Sequence, residues 1–136
     1  MNDSPLAASK IGADGCHIGQ NDGTIKNARL ILKNKIVGVT CHNSIKLVKK
    51  ASNEGADYIA LGAFYSSKTK KIKYKASKKL LMDAKKITKV PLVAIGGINS
   101  KNYKKLLLNK ANFLAISGYI WNNNKLKPAE AIRKLK

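Results

Sequence analysis

Gly55-Ala56-Asp57-Tyr58-Ile59-Ala60-Leu61 is the stretch on which the reading of the fold turns. A helix-ending glycine leads through two residues into a short apolar run. The same join stands at Gly12-Ala13-Asp14-Gly15, and again, with Lys and Asn in two of its places, at Lys110-Ala111-Asn112-Phe113. Each closes a helix-like stretch and enters a strand-like one, the pattern of a βα repeat with parallel strands. The strand candidates are Gly15–Ile18, Ile36–Thr40, Tyr58–Leu61, Leu92–Ile95 and Phe113–Ile116. All are short and apolar with little alternation, as strands buried on both faces are. Asp3-Ser4-Pro5 opens the first helix, Asn43-Ser44 opens the third with Gly55 closing it, and Asn99-Ser100 opens the fifth. Strand starts recur about every 21 to 22 residues, except that Ala63–Lys75 is inserted between Tyr58 and Leu92. Long loops after strands commonly carry function.

The chain has 136 residues, of which 44% are hydrophobic and 25% charged, so it forms one domain, residues 1–136, and not a disordered tail. No apolar run reaches the ~20 residues of a membrane helix, and Met1–Lys10 lacks a secretory pattern. A cytoplasmic location with no membrane partner is expected. Cys16 and Cys41 fit no metal or redox spacing and read as small buried residues. The net charge of +20 suggests nucleic acid at first sight. Yet Arg29 and Arg133 are the only arginines, and the lysines are spread over every helix-like stretch. Bidentate base and phosphate recognition favours Arg. A solvated basic surface that attracts small anions, with no nucleic-acid partner, is the better reading.

Five parallel strands fit either an open doubly wound sheet or five-eighths of a (β/α)8 barrel, and both place ligands at strand C-terminal ends. Gly96-Gly97 and Ser117-Gly118 follow the last two strands and would expose backbone N–H groups to a phosphate, unless the glycines serve only a tight turn. Asp3 and Asp22 stand in consecutive units, where two carboxylates can hold Mg2+ or can cap helices. Lys70, with Ser67 and Thr69, could grip phosphate oxygens, or could belong to a plain basic run. His17 and His42 lack a third ligand at suitable spacing and read as buried, hydrogen-bonded structural residues.

Taken together, Asn2-Asp3, Gly12 through Asp22, Gly38-Val39-Thr40-Cys41-His42, Thr69-Lys70 and Ala94-Ile95-Gly96-Gly97-Ile98 resemble the thiamine-phosphate synthase family in order and spacing, from Asn2 to about Ala131. The resemblance implies a transferase of thiamine biosynthesis on a TIM barrel. It would join a hydroxymethylpyrimidine diphosphate to a thiazole phosphate and release pyrophosphate. It places Mg2+ on Asp3 and Asp22. The pyrimidine diphosphate falls on Asn2, Thr40 and Lys70, with Thr40 in place of the commoner Ser. The thiazole phosphate falls on Ser67, Lys68, Thr69, Gly97, Ile116 and Ser117, with Ser67 in place of the usual Thr. Lys70 and Thr40 would carry the catalytic contacts to the diphosphate. A thiazole tautomerase of the same superfamily is the alternative, but its catalytic histidine would fall near Ala63.

The family's first two strands and most of the third have no counterpart in this chain, and neither does its Gln-Leu-Arg-x-Lys type segment. The expected architecture is therefore the C-terminal five βα units of a (β/α)8 barrel, a single incomplete domain. Asn2 and Asp3 are expected to lie at a free terminus without strand support. A second chain supplying the missing strands is an expected partner, and a nonfunctional or partner-dependent fragment is a further alternative.

Overall fold

The computed structural model describes residues 1–66 and 73–136. Five strands, β1 (Gly15–Ile18), β2 (Ile36–Thr40), β3 (Tyr58–Gly62), β4 (Leu92–Ile95) and β5 (Phe113–Ala115), form one sheet in the order β1-β2-β3-β4-β5. Every neighbouring pair is parallel. The order never reverses, so the sheet lacks the topological switch point that defines a doubly wound fold. Among the described residues the helices are α1 (Pro5–Lys10), α2 (Ile25–Leu32), α3 (Ile45–Asn53), α4 (Lys78–Ile87), α5 (Tyr103–Leu108), α6 (Gly118–Trp121) and α7 (Pro128–Arg133). No described helix is long and apolar enough to cross a membrane.

The three joins share one geometry. Gly12, Gly55 and Lys110 all have positive φ, at 70°, 83° and 77°. In each, the next N–H reaches back five residues: Ala13 to Ala8, Ala56 to Ala51 and Ala111 to Leu106. This is the Schellman helix stop, which satisfies carbonyls that the helix end leaves open. In two of the three joins the side chain after the alanine then ties the sheet. Asp57 Oδ2 accepts from the Val37 N–H at 2.7 Å, and Asn112 Oδ1 accepts from the Leu92 N–H at 2.9 Å. The repeated sequence is thus a repeated device: stop the helix, then hydrogen-bond the start of the preceding strand.

Arg29 reinforces the middle join. Its guanidinium donates to the carbonyls of Lys33, Lys35 and Gly55 and to Asp57 Oδ2, at 2.7 to 2.9 Å. Burial alone would push the Asp57 carboxyl up, but hydrogen bonds from Arg29 and the Val37 N–H, with the Arg29 charge, outweigh it and hold the group below its ordinary value.

The register sorts the strand residues onto two faces. Cys16, Ile18, Val37, Val39, Ile59, Leu61, Leu92 and Ala94 pack against the helices and are buried with Ala28, Leu32, Val48, Leu81 and Leu106. Burying each large side chain contributes ~1.5–3 kcal/mol. The other face carries His17, Gly38, Thr40, Tyr58, Ala60, Val93 and Ala115, together with Ile36, Ile95 and Phe113 at 52%, 42% and 60% exposure. This second face is open and partly apolar.

Several expectations are corrected. Asn2 does not hang free: it bridges His17 in parallel, with His17 N–H donating to Met1 O at 2.9 Å and Asp3 N–H to His17 O at 2.8 Å. β3 runs on to Gly62, and β5 stops at Ala115, before Ile116. The fifth helix begins at Tyr103, not at Asn99-Ser100. There, Asn102 Oδ1 accepts from the Asn99 N–H and Asn99 Oδ1 from the Lys101 N–H, so the capping oxygens build a turn ahead of the helix.

Candidate functional site

Loops at the C-terminal ends of β2 to β5 enclose a cavity of about 1360 Å³. Four of the expected site residues line it: Thr40 ends β2, Gly97 follows β4, and Ile116 and Ser117 follow β5. The N–H groups of Gly97, Ile116 and Ser117 make no hydrogen bond with the described residues. Gly97 has φ 62°, and a Cβ there would lie 2.3 Å from Ser66 O and 2.6 Å from Tyr65 O. A side chain is excluded twice, by conformation and by space. Gly96 is equally close-packed, its virtual Cβ 2.4 Å from Ala63 Cβ. The pair does make a turn, and the turn seats the loop after β3 against the cavity floor.

That loop returns to its starting point. Ala63 N–H donates to Tyr74 O and Ala76 N–H to Ala63 O, both at 2.9 Å. Ser67, Lys68, Thr69 and Lys70, expected to hold phosphate, lie outside the described residues. Lys73 and Lys125 line the cavity and supply cationic character.

Asn2, Asp3 and Asp22 do not line this cavity; they sit beside it at the first strand. Neither aspartate caps a helix. The N-caps of α1 and α2 are Ser4, accepting from the Ala7 N–H, and Thr24, accepting from the Asn27 N–H. Asp22 Oδ2 accepts from the Gly19 N–H at 2.7 Å, and the Asp3 carboxylate accepts no hydrogen bond from the described residues. Both charges act on His17: burial lowers the imidazole below its ordinary value, and Asp3 and then Asp22 pull it back up. Among the described residues, no group of three or more His, Cys, Asp or Glu could hold a metal by itself.

His17 is hydrogen-bonded, as expected, but only half-buried. Nδ1 lies 2.8 Å from Tyr58 Oη, and Nε2 lies 2.8 Å from Thr40 Oγ1. His42 departs from expectation. It is only partly buried, lines the cavity, and stacks on Tyr74 with ring centroids 4.2 Å apart. Burial lowers its imidazole below the ordinary value. Cys41 is fully buried, its thiol pushed up to about 12 by desolvation, so it is no nucleophile at neutral pH. Sequence reasoning missed Tyr119 and the loop Asn122–Lys125 on the cavity wall. The run Asn122-Asn123-Asn124-Lys125, polar and just beyond the last strand, was the available signal.

The fold and site define a class: a parallel βα-repeat protein whose polar groups gather at strand C-terminal ends, with N–H groups there that have no partner among the described residues. The comparisons with known proteins narrow it. The family described as thiamine monophosphate synthase matches residues 1–120, and the chain belongs to that family. It is 70% identical over 136 residues to a thiamine-phosphate synthase of Pelagibacter ubique (strain HTCC1062), covering all of this chain and 66% of that protein. It is 44% identical over 124 residues to one of Rhodospirillum centenum (strain ATCC 51521 / SW), covering 90% and 60%. Among solved structures, a thiamine phosphate pyrophosphorylase from Pyrococcus furiosus superposes with a TM-score of 0.86 at 26% identity, covering 98% of this chain and 63% of that one. A 3-hexulose-6-phosphate synthase shares the fold at 21% identity and a TM-score of 0.72. The chain thus spans 60 to 66% of the length of these two thiamine-phosphate synthases.

Proposed function

We propose that the chain carries the thiazole-phosphate half, and part of the pyrimidine-diphosphate half, of a thiamine-phosphate synthase. On this reading it is the C-terminal five βα units of a (β/α)8 barrel, with the preceding strands supplied from outside these 136 residues. The observation that carries the proposal is the convergence on one cavity of Thr40, Gly97, Ile116 and Ser117, the residues that the family resemblance assigns to the substrates. The N–H groups of Gly97 and Ser117, which have no partner among the described residues, suit the oxygens of a phosphate. Thiazole phosphate would sit there, and the family resemblance assigns Ser67, Lys68 and Thr69 to it as well. Asn2, Thr40 and Lys70 would hold the diphosphate of the second substrate.

The donor set of Asp3 and Asp22 fits Mg2+. Both offer hard carboxylate oxygens, and Mg2+ commonly takes one or two carboxylates plus substrate phosphates and water. When bound, Mg2+ would neutralise charge on the diphosphate. The chain's own part is positioning and electrostatics. Lys70 would stabilise the departing pyrophosphate as the carbon–oxygen bond breaks and its electron pair leaves with oxygen. The thiazole nitrogen, held in place through its phosphate, would donate its lone pair to the methylene carbon and form the new carbon–nitrogen bond. Neither step needs a protein nucleophile. Ala63, where a tautomerase would place its histidine, has no group to move a proton.

The residues that the resemblance assigns to thiazole phosphate all lie within this chain, so binding tests the reading directly. The 136-residue chain is titrated with thiazole phosphate by calorimetry. Pyrophosphate release is then followed after the N-terminal strands of the Pelagibacter relative are added as a separate polypeptide. Binding by the chain alone, with turnover on complementation that is lost in Asp22→Asn and Lys70→Ala, is expected. Absence of thiazole-phosphate binding would overturn the proposal.

A further inference from the structure

Thr40 lines the cavity, but its hydroxyl is not free to orient itself. Behind it, His17 Nε2 lies 2.8 Å from Oγ1, and on the far side of the ring His17 Nδ1 lies 2.8 Å from Tyr58 Oη. Neither His17 nor Tyr58 lines the cavity. Tyr58 reaches His17 by passing over Gly38, the residue paired with both in the register. A Cβ at Gly38 would stand 1.9 Å from Tyr58 Cζ. The tyrosine and histidine rings are stacked, with centroids 5.5 Å apart.

The roles in both bonds are set by the histidine tautomer. Among the described residues Tyr58 Oη has one partner, His17 Nδ1. Donation from the phenol to Nδ1 pairs its proton within the protein. In that arrangement Nδ1 accepts, and the ring proton sits on Nε2. Nε2–H donates to Thr40 Oγ1, so the threonine's own proton is left over. No described residue accepts it, and the open side of Thr40 is the cavity. Only a ring protonated at Nδ1 alone would reverse the arrangement. We propose that Tyr58 and His17 act as positioning residues that hold the Thr40 hydroxyl as a hydrogen-bond donor toward an anionic phosphoryl oxygen in the cavity. The proposal rests on the phosphate reading above and adds the selection of an ionised oxygen over a neutral hydroxyl.

The first test needs no variant. Side-chain 15N spectra of the chain, with His17 assigned by removing the other histidine in His42→Asn, should show an imine-type Nδ1 and a protonated Nε2. A protonated Nδ1 beside an imine-type Nε2 overturns the relay whatever the ligand. The second test uses calorimetry with inorganic pyrophosphate at constant Mg2+ and, separately, with thiazole phosphate. Thr40→Val should weaken pyrophosphate binding about tenfold or more, Thr40→Ser should retain it, and Tyr58→Phe should weaken it several-fold. Thiazole phosphate, which does not use Thr40, should bind Tyr58→Phe as it binds wild type. A merely structural role for Tyr58 would move both ligands. Unchanged pyrophosphate affinity in Tyr58→Phe refutes the relay. Failure of wild type to bind either ligand refutes the phosphate reading and leaves the 15N result to decide the relay.

Discussion

Gly38→Ala tests the link between the sheet and the site with a single methyl group. Gly38 is buried in the middle of β2, and its virtual Cβ lies 1.9, 2.2 and 2.4 Å from three ring atoms of Tyr58. No side chain can occupy that space while the ring stays. Tyr58 must therefore swing away or β2 must shift, and overpacking of this kind costs ~1–3 kcal/mol. Either movement breaks the 2.8 Å bond to His17, worth ~1 kcal/mol net. The sum is about 2–4 kcal/mol, a fall of roughly 8–16 °C in Tm for a domain of this size. Urea unfolding of Gly38→Ala, Tyr58→Ala and the double variant gives a thermodynamic cycle. Removing the ring removes the clash, so the double variant should be less destabilised than the two single costs added, by ~1 kcal/mol or more. The reasoning fails if Gly38→Ala lies within about 0.5 kcal/mol of wild type, or if the two costs simply add.

Two further predictions follow from the joins and the titrating groups. Arg29→Met keeps much of the aliphatic stem but abandons three carbonyls and Asp57; it should destabilise by ~1–3 kcal/mol without altering thiazole-phosphate affinity, as urea unfolding and calorimetry will show. The pH profile should slope one way on the acid side. His17 and His42 are held below their ordinary 6.5 by burial, so the folded chain takes up their protons less readily than the unfolded chain does. Their contribution is in place above about pH 6.5 and is lost as the pH falls through the lower folded values. Asp57, held below 3.8, adds a second loss at still lower pH. A urea midpoint that rises between pH 7 and pH 5 would contradict this.

The sheet was legible in the sequence because its strands are apolar runs bounded by strong punctuation. The joins were legible because a Schellman stop demands a left-handed residue at one place and a small residue at the next. Lys110 shows that the position, rather than glycine itself, is what repeats. The start of α5 was not legible. Asn99, Ser100 and Asn102 all have capping chemistry, and only the chain's path decides which oxygen meets which N–H. α6 is too short, at four residues, to show a helical period. His42 was misread because its aromatic partner, Tyr74, stands in a different loop. The partners of His17 were hidden for a related reason. They depend on register across three strands, and the one visible clue was a glycine, Gly38, in the middle of an apolar strand.

The open face of the sheet gains meaning when read from one end of the strands to the other. Ile36 and Phe113 stand at strand starts and are more than half exposed. His17, Tyr58 and Thr40 come next, joined to one another by two hydrogen bonds. Gly97 and Ser117, with N–H groups left over, stand beyond the strand ends. Hydrogen-bonding groups thus gather toward the loops that hold the cavity, although Ile95, at the end of β4, keeps the rim partly apolar. A solvent-facing sheet surface has no reason to place large apolar residues at its strand starts, whereas a barrel interior fills its base with apolar layers and binds at its C-terminal rim. On the reading of this chain as an arc of such a barrel, Ile36 and Phe113 are base residues awaiting cover, and burying them would contribute ~25 cal/mol for each Å² removed from water. The same layering keeps the Thr40 hydroxyl at the boundary between the packed interior and the ligand. There its donor direction can be set from below and used from above.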